Sequence, residues 1–318
     1  MYPLLLKPII KDYLWGGTKL KTDFGLETDK EIAAEAWVLS CHKDGTNLVI
    51  NNGEFCENFD VTLENLGPEV LGKNAAKYEY FPILIKLIDA KQKLSVQVHP
   101  DDSYALANEG EYGKTEMWYV VDCEPGAKLA YGFNRDIEKS EFERRIKDNT
   151  LDEVINYVPV SKGDVFFIDA GTLHAIGEGI LIAEVQQNSN TTYRVSDYGR
   201  LGADGKPREL HIEKALEVTK CKKPDIPYGN IGQTIVCNGN KIRDLASCDK
   251  FTAKVLTLND EFIVDSKDSF VSLVVLDGSL ALSCDKYTIN AAKGDSIFIP
   301  AGLKTKLSGV AEILYSYV

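Results

Sequence analysis

The chain has 318 residues, of which 44% are hydrophobic and 26% are charged, and its formal net charge is -12 at pH 7. This composition is typical of a water-soluble globular protein, and the length favours two domains without excluding one large domain. The acidic charge argues against nucleic acid and anionic membranes as partners, because both are bound by basic surfaces. The chain has no run of roughly 20 apolar residues that could span a bilayer, and its start lacks the build of a signal peptide. We therefore expect a cytoplasmic protein with neither kind of partner.

The seven cysteines are scattered through the chain and form no C-x-x-C pair. An odd and scattered set argues against a disulfide framework and against a cysteine metal cluster. We expect free thiols.

Short helices are predicted in the first two thirds of the chain, at residues 62–71, 103–109, 137–147, 151–158 and 209–218. The fourth has the clearest helical pattern. Its apolar residues fall at i, i+3, i+4 and i+7: Leu151, Val154, Ile155 and Val158. Thr150 and Glu153 form a capping-box pair in front of them.

Strands are predicted between these helices, at residues 81–89, 94–99, 117–121, 164–168 and 179–185. The second of them alternates apolar and polar residues over its whole length. Ser95, Gln97 and His99 therefore share one face of that strand, which points either to solvent or to a site that needs polar atoms.

The pattern changes after about residue 222. Residues 222–229 are interrupted by proline and glycine and fit a linker, and the rest of the chain has little helical periodicity. Residues 274–282 indicate a hairpin with Asp277 and Gly278 at the turn. We predict a larger domain at 1–230 and a smaller all-β domain at 231–318.

An internal repeat connects the two parts. Residues 162–174 match residues 293–305 in their K-G-D and A-G positions, and each copy reads as a turn, a strand and a second turn. Two such units suggest two antiparallel β-barrels of the jelly-roll type. His174 ends the first copy, whereas Thr305 ends the second. If the first barrel binds a metal ion, we expect none in the second.

Three predicted strand segments carry a candidate metal site. His99, Glu116 and His174 supply two imidazoles and a carboxylate, which can fill three positions around a zinc ion. The chain has only four histidines, so their place in this pattern carries weight. Gln97, on the same strand face as His99, offers an amide oxygen as a weak fourth ligand. Spacing alone leaves a second interpretation, in which both histidines are ordinary and Glu116 is solvated.

Several motifs together resemble those of a known family. They are W-G-G at 15–17, E-A-W at 35–37, L-S-V-Q-V-H-P-D-D at 94–102, G-K-T-E at 113–116, G-T-L-H-A-I-G at 171–177 and T-Y-R at 192–194. The chain resembles the type I mannose-6-phosphate isomerases in their short bacterial form. The resemblance extends from the first strand to about residue 220 and includes the reduced terminal barrel.

The resemblance implies a mainly β fold of two cupin barrels, with short α-helices packed on the first. It also implies one Zn²⁺ ion per chain and the interconversion of mannose 6-phosphate and fructose 6-phosphate. By motif, the zinc ligands are His99, Glu116 and His174, with Gln97 or water as the fourth. Arg194 matches the active-site arginine of the family. Arg200 lies where some relatives carry a lysine near the phosphate.

Aldose–ketose isomerisation moves a proton between C2 and C1 through an enediol, so it needs a base and positive charge near the developing oxyanion. Arg194 does not lose its proton readily and is expected to stabilise charge. Glu184 and Lys114 are both candidates for proton transfer. Neither is forced by the sequence, and each has the alternative of being a surface charge.

The phosphate of the substrate needs hydrogen-bond donors. Ser95 offers a hydroxyl, and Arg194 and Arg200 offer charge-assisted bonds. Lys86 is a further candidate for this positive cluster, but the favoured interpretation is a strand-edge lysine whose ammonium group reaches solvent. His211 is interpreted as structural, and His42 fits no ligand pattern.

Two alternatives to the isomerase are considered. One is another metal-dependent cupin enzyme, for example one that uses iron, because two histidines and a carboxylate also suit that metal. The other is a sugar-binding bicupin without turnover. Lys114 and Arg194 favour the isomerase, because metal binding alone needs neither of them. The chain is expected to be a monomer or a homodimer.

Overall fold

A computed structural model describes residues 1–50, 57–202 and 205–318 of the chain. Cys56 lies outside the described residues, and the other six cysteines are free thiols. The expectation of a mainly β fold is confirmed. No helix in the described part of the chain combines the length and apolarity that crossing a membrane requires.

The strands are β1 (Leu4–Lys7), β2 (Ile9–Lys11), β3 (Glu35–Leu39), β4 (Cys41–His42), β5 (Gly45–Thr46), β6 (Leu48–Val49), β7 (Glu57–Asn58), β8 (Ile83–Ala90), β9 (Val96–Val98), β10 (Glu116–Cys123), β11 (Lys128–Phe133), β12 (Ile155–Pro159), β13 (Val165–Ile168), β14 (His174–Ala175), β15 (Ile180–Gln187), β16 (Tyr193–Ser196), β17 (Thr234–Cys237), β18 (Asn240–Ser247), β19 (Thr252–Leu258), β20 (Glu261–Asp265), β21 (Val271–Cys284), β22 (Tyr287–Ala292), β23 (Ser296–Ile299) and β24 (Lys304–Tyr317).

The helices are α1 (Lys19–Thr22), α2 (Phe59–Leu66), α3 (Asp102–Asn108), α4 (Lys139–Lys147) and α5 (Ile212–Val218), with 3-10 turns at Pro68–Leu71, Lys73–Lys77 and Leu151–Glu153. Each predicted strand in the first part of the chain is confirmed within a few residues, and so are four of the five predicted helices.

Two antiparallel sheets of the first part form the frame of the site. A six-stranded sheet has the order β13-β10-β15-β8-β3-β2, and a five-stranded sheet has the order β12-β11-β14-β9-β16. Trp118, Ile182 and Phe166 of the first sheet and Leu129 and Tyr131 of the second belong to one buried apolar cluster. The two sheets therefore face each other across a shared core, as in a sandwich.

The remaining faces of these two sheets are also covered. The outer face of the five-stranded sheet contributes Val98 and Phe133 to a cluster with Phe142 of α4 and Ala215 of α5. The outer face of the six-stranded sheet packs against the largest sheet, through residues such as Leu87. The short helices thus lie on the first part of the chain, as the sequence predicts.

The largest sheet has the path β17-β18-β19-β24-β21-β23-β1-β6-β7, with β20 on β24 and β22 on β21. Alternate residues of its strands form a second core of their own, which includes Leu273, Ile297 and Leu307. This arrangement is consistent with a second barrel. Because β1 pairs with β23, the sheet continues across the predicted boundary at residue 230, and the division into two domains stays a prediction.

The internal repeat has the same backbone conformation in both copies. Gly163 and Gly294 have φ values of 90° and 97°, and Gly171 and Gly302 have values of 86° and 80°. These left-handed turns favour glycine and flank β13 in one copy and β23 in the other. The turn, strand and turn predicted for each copy are confirmed.

The prediction of a helix at 151–158 is wrong. Residues 151–153 form one 3-10 turn, and the chain then continues as β12, which pairs with β11. The four apolar residues are buried as expected. Val154, Ile155 and Val158 are β-branched, however, and β-branched side chains fit a sheet better than a helix. Thr150 makes no side-chain cap bond, so the capping-box pattern is not used.

The prediction of a hairpin at 274–282 is also wrong. These residues lie within the single strand β21, which pairs with β24 on both sides of Gly278. The register shifts between Val275 and Asp277, and Gly278 has a φ of 77°. The Asp-Gly pair therefore marks a β-bulge, because both flanking segments bury apolar residues against the same neighbouring strand.

Phe298 of β23 is fully buried, and its ring centroid lies 5.0 Å from that of Phe59 and 5.2 Å from that of Phe270. Phe298→Ala should lower the free energy of unfolding by about 3–5 kcal/mol, because it leaves a cavity between the sheets. Ile263→Ala is the control, since Ile263 is 55% exposed, and its effect should stay within about 0.5 kcal/mol. Urea denaturation measures both, and equal losses would contradict this packing.

Candidate metal centre and active site

His99, Glu116 and His174 meet between the two facing sheets. His99 directly follows β9, and His174 begins β14, where it pairs with Gln97. Glu116 begins β10 in the opposite sheet. One potential ligand atom from each side chain lies within 4.8 Å of the others. Because all three side chains are at most 1% exposed, the interpretation of Glu116 as a solvated carboxylate is wrong.

Hydrogen bonds fix the tautomer of both imidazoles. Nδ1 of His99 donates to the carbonyl of Thr191 at 2.9 Å, and Nδ1 of His174 donates to the carbonyl of Thr172 at 2.8 Å. A carbonyl only accepts, so Nδ1 carries the proton and the lone pair of Nε2 faces the centre. Carbonyl partners of this kind orient histidines that ligate metals. Burial lowers the pKa of His99 well below its ordinary value and that of His174 to about 3, so both rings are neutral.

Only one carboxylate oxygen of Glu116 accepts a hydrogen bond. Its Oε2 accepts a hydrogen bond from Lys114, whereas its buried Oε1 has no hydrogen-bond partner and lies 3.3 Å from Nε2 of His174. Burial, and next the charge of Glu184, raise the pKa of Glu116 to about 8. An unpartnered buried oxygen beside two imidazole lone pairs fits a bound cation. The residues present could therefore hold a metal ion.

The amide group of Gln97 also lies at this centre, with Nε2 at 3.5 Å from Nε2 of His174. A metal ion would require Oε1 rather than Nε2 on that side, so the amide would have to turn over to become a ligand. The choice between Gln97 and water as the fourth ligand stays a prediction.

A row of four side chains crosses the six-stranded sheet next to the centre. Trp118 is opposite Glu184, Glu184 is opposite Lys86, and Lys86 is opposite Trp37. Directly opposite residues lie on the same face of a sheet, which here is the face toward His174. Trp118 donates to Oε2 of Glu184 at 2.8 Å, and Lys86 lies 3.4 Å from Oε1 of Glu184. Glu184 is thus held from both sides.

The interpretation of Lys86 as a strand-edge lysine with a solvated head is wrong. β8 is an inner strand of the sheet, and Lys86 is only 5% exposed. Its ammonium group lies between Glu35, at 3.6 Å, and Glu184. Burial favours the neutral form of Lys86, but these two carboxylates outweigh burial and raise its pKa. Two lysines, Lys86 and Lys114, therefore face the carboxylates of the site.

A cavity of about 260 Å³ opens next to this row. Five residues singled out from the sequence line it: Ser95, Gln97, Lys114, Glu184 and Arg194. Lys86, which the sequence offers as a less favoured member of the phosphate cluster, lines it too, whereas sequence reasoning missed Tyr13, Glu35, Asn190, Thr192 and Arg208. A signal for Glu35 was present, because it is a charged residue within an otherwise apolar strand segment, as Lys86 is.

Arg200 does not line the cavity. Its guanidinium donates to the carbonyl of Lys93 at 2.7 Å and to Oδ1 of Asp197 at 2.5 Å. Arg208 binds the same carboxylate through two bonds, at 2.6 and 2.7 Å, and does line the cavity. Arg208, and not Arg200, therefore lines the cavity together with Arg194.

Not every hydrogen-bond donor of Arg194 has a partner. One of its terminal nitrogens donates to the carbonyl of Glu209 at 2.7 Å, while its buried Nε has no hydrogen-bond partner. Its backbone N–H donates to Nδ1 of His211 at 3.1 Å, so His211 supports the strand that carries Arg194. Burial, and next the charge of Arg208, lower the pKa of Arg194. Two neighbouring guanidinium groups of this kind suit an anionic ligand.

The second core offers a direct comparison with this centre. Strand pairing places four residues at the positions of Gln97, His99, Glu116 and His174: Val264, Ser266, Val271 and Thr305. None of the four supplies an imidazole or a carboxylate. Among the described residues, the group of histidines, cysteines and carboxylates that could hold a metal ion is His99, Glu116 and His174.

Comparison with known proteins identifies the family. "Phosphomannose isomerase type I, catalytic domain" matches residues 4–122, and "Mannose-6-phosphate isomerase, cupin domain" matches residues 241–318. The mannose-6-phosphate isomerase ManA of Bacillus subtilis (strain 168) is 38% identical, and the match covers 99% of each chain. The chain belongs to the type I phosphomannose isomerases.

Further relatives of this type I phosphomannose isomerase agree over its whole length. The mannose-6-phosphate isomerase of Streptococcus mutans is 35% identical over 99% of this chain and 98% of its own. The crystal structure of the mannose 6-phosphate isomerase from Bacillus subtilis superposes with a TM-score of 0.92 at 33% identity, covering 100% of both chains. The catalytic-domain match includes His99 and Glu116, whereas His174 lies between the two matched ranges.

Lys86→Met should destabilise this phosphomannose isomerase by about 3–5 kcal/mol, because it leaves Glu35 and Glu184 buried with one fewer counter-charge. Lys19→Met is the matched control, since the Lys19–Asp122 pair at 3.0 Å is partly exposed and should contribute at most about 1 kcal/mol. The free energy of unfolding at neutral pH measures both. A loss below about 1 kcal/mol for Lys86→Met would contradict its role as a buried counter-ion.

Proposed function

We propose that the protein is a zinc-dependent aldose–ketose isomerase, which interconverts mannose 6-phosphate and fructose 6-phosphate through an enediol. The observation that carries the proposal is the buried group of His99, Glu116 and His174 beside a cavity lined by Lys114, Glu184 and Arg194. The names of the relatives support the same reaction. The proposal includes a cytoplasmic location.

One Zn²⁺ ion per chain would be held by Nε2 of His99, Nε2 of His174 and the carboxylate of Glu116, with Gln97 or water in the fourth position. Two nitrogens and a carboxylate are a common zinc ligand set. A zinc ion bound there would orient the sugar and polarise its carbonyl and hydroxyl oxygens. Neutral imidazoles need lose no proton before they bind a metal, which suits this site.

Glu184 is the proposed base that moves the proton between C2 and C1. Burial alone would raise its pKa, but the charges of Lys114 and Lys86 outweigh burial and keep the pKa below its ordinary value. Glu184 is therefore ionised at neutral pH and able to accept a proton. Its Oε1 accepts no hydrogen bond and lies 3.4 Å from the ammonium group of Lys86, while Trp118 holds the other oxygen in place. A fixed carboxylate with one oxygen that accepts no hydrogen bond suits a general base.

Lys114 is proposed to stabilise negative charge on the reacting oxygens. Its ammonium group lies 3.1 Å from Nε2 of His99 and 4.0 Å from Oε1 of Glu184. This position places a positive charge between the metal ligands and the proposed base. A preorganised cation in a site that excludes water stabilises an enediolate far more than the same charge does in water.

The phosphate is proposed to bind Arg194, Arg208 and the hydroxyl of Ser95. Both arginines line the cavity, and Asp197 fixes the orientation of Arg208. The unpartnered Nε of Arg194 leaves a donor for a phosphate oxygen. This local positive charge explains how an acidic protein can bind an anionic substrate.

The test is a turnover assay with purified protein. Mannose 6-phosphate should yield fructose 6-phosphate, chelation should abolish the reaction, and Zn²⁺ should restore it. Absence of turnover with the metal site fully loaded would favour the sugar-binding bicupin. Restoration by Fe²⁺ but not by Zn²⁺ would contradict the zinc dependence and indicate an iron-dependent isomerase.

His174→Ala should lose Zn²⁺ at equilibrium, because it removes one of three ligands, whereas Thr305→Ala should retain the wild-type content of one ion per chain. Metal analysis after dialysis measures both. Metal loss in the Thr305 variant would show that the second barrel binds an ion, against the proposal.

Arg208→Ala should raise KM for mannose 6-phosphate by roughly 10-fold to 100-fold, the loss typical of a charged hydrogen bond. Arg200→Ala removes the same charge outside the cavity lining and should change KM less than about threefold. Steady-state kinetics of the two variants measure the difference. A larger effect at Arg200 would contradict the role of Arg208. It would favour Arg200, the residue predicted from the sequence, as the phosphate ligand.

A further inference from the structure

A short loop connects β15 to β16 and passes directly over His99. The carbonyl of Thr191 in this loop accepts the hydrogen bond from Nδ1 of His99, at 2.9 Å. Its neighbours Asn190 and Thr192 line the cavity, and the loop leads into the strand that carries Arg194. The position of this loop therefore determines the ring orientation of one ligand and the shape of one cavity wall.

Two carboxylates outside the cavity contact this loop: Asp44 accepts from the side-chain amide of Asn190 at 2.8 Å, and Glu111 accepts from three donors of the loop. Oε2 of Glu111 accepts from the backbone N–H of Asn190 at 3.1 Å, from the hydroxyl of Thr191 at 3.3 Å and from that of Ser189 at 3.4 Å. All three consecutive loop residues thus converge on a single oxygen atom. Loss of this acceptor would release three donors at once.

The other oxygen of Glu111 is held separately. Oε1 lies 2.7 Å from the ammonium group of Lys43 and 3.4 Å from Nε2 of His42. The side chain of Glu111 is 13% exposed, whereas that of Lys43 is 69% exposed. Burial raises the pKa of Glu111, but the hydrogen bonds from Lys43 and from the N–H of Asn190 outweigh burial and lower it. Glu111 therefore accepts as a carboxylate at neutral pH.

We propose that Glu111 is a positioning residue, which fixes the 189–191 loop so that the carbonyl of Thr191 orients His99 for metal binding. Glu111 lies outside the lining of the cavity, and it acts through the loop. The inference rests on the role in metal binding proposed for His99. It adds a further layer to that site: a carboxylate orients a carbonyl, and the carbonyl orients a ligand.

The experiment compares wild type with Glu111→Ala, Glu111→Met, Glu111→Gln and Lys43→Ala. Zn²⁺ affinity is measured by competition with a chelator. The His99 Nδ1–H signal is followed by NMR of protein labelled with ¹⁵N-histidine, which is practicable because the chain has four histidines. Glu111→Met keeps the length of the side chain without an acceptor, and it serves if the alanine variant does not fold. Lys43→Ala removes a partner of Oε1 and leaves the loop contacts of Oε2.

The Ala and Met variants should bind Zn²⁺ at least about 10-fold more weakly, the effect usual for outer partners of a ligand, and their His99 Nδ1–H signal should shift or disappear. The far-UV circular dichroism spectrum should stay unchanged, which a general loss of structure would not allow. Glu111→Gln keeps an acceptor and should recover most of the affinity, and Lys43→Ala should match wild type.

Wild-type affinity with an unchanged His99 signal in the Ala or Met variant would overturn the role of Glu111. Failure of wild type itself to bind Zn²⁺ would instead refute the proposed function.

Discussion

The site depends on charge buried between two β-sheets. Glu35, Glu116 and Glu184 place three carboxylates there, and Lys86 and Lys114 supply two ammonium groups. Transfer of ionised groups from water to a protein interior is costly unless each is paired and hydrogen-bonded. One carboxylate is in excess, and the imbalance falls on Glu116, whose pKa is raised and whose Oε1 has no hydrogen-bond partner. A divalent cation at this point would satisfy that oxygen and the lone pair of His174, and it would take the place of Lys114 at Nε2 of His99.

The fold makes this arrangement possible by surrounding it with apolar layers. The six-stranded sheet turns Ile85 and Leu87 toward one core and Lys86 toward the other face, because strand side chains alternate. Strand register then sets Trp118, Glu184, Lys86 and Trp37 in one row. The polar groups of this row pair with one another. Their hydrogen bonds and ion pairs, whose geometry is set by the strand register, offset the free-energy cost of removing these groups from water.

The sequence predicted much of this centre and much of the fold. His99, Glu116 and His174 could be chosen because histidine is scarce in the chain and because the repeated strand ends in His174 once and in Thr305 once. Residues 151–158 and 274–282 were predicted wrongly because local patterns there fit two structures, and the choice is made by pairing with a distant strand. Lys86 was placed wrongly, and Arg208 and Glu111 could not be placed at all, since the roles of all three depend on which residues face them across sheets and loops.

Anomalous diffraction at the zinc absorption edge, from crystals grown with Zn²⁺, tests the proposed metal centre most directly. We expect one peak per chain, at about 2.0–2.2 Å from Nε2 of His99, Nε2 of His174 and a carboxylate oxygen of Glu116, with no peak near Thr305. A peak elsewhere, or full zinc loading without density between these three side chains, would contradict a metal centre at this position.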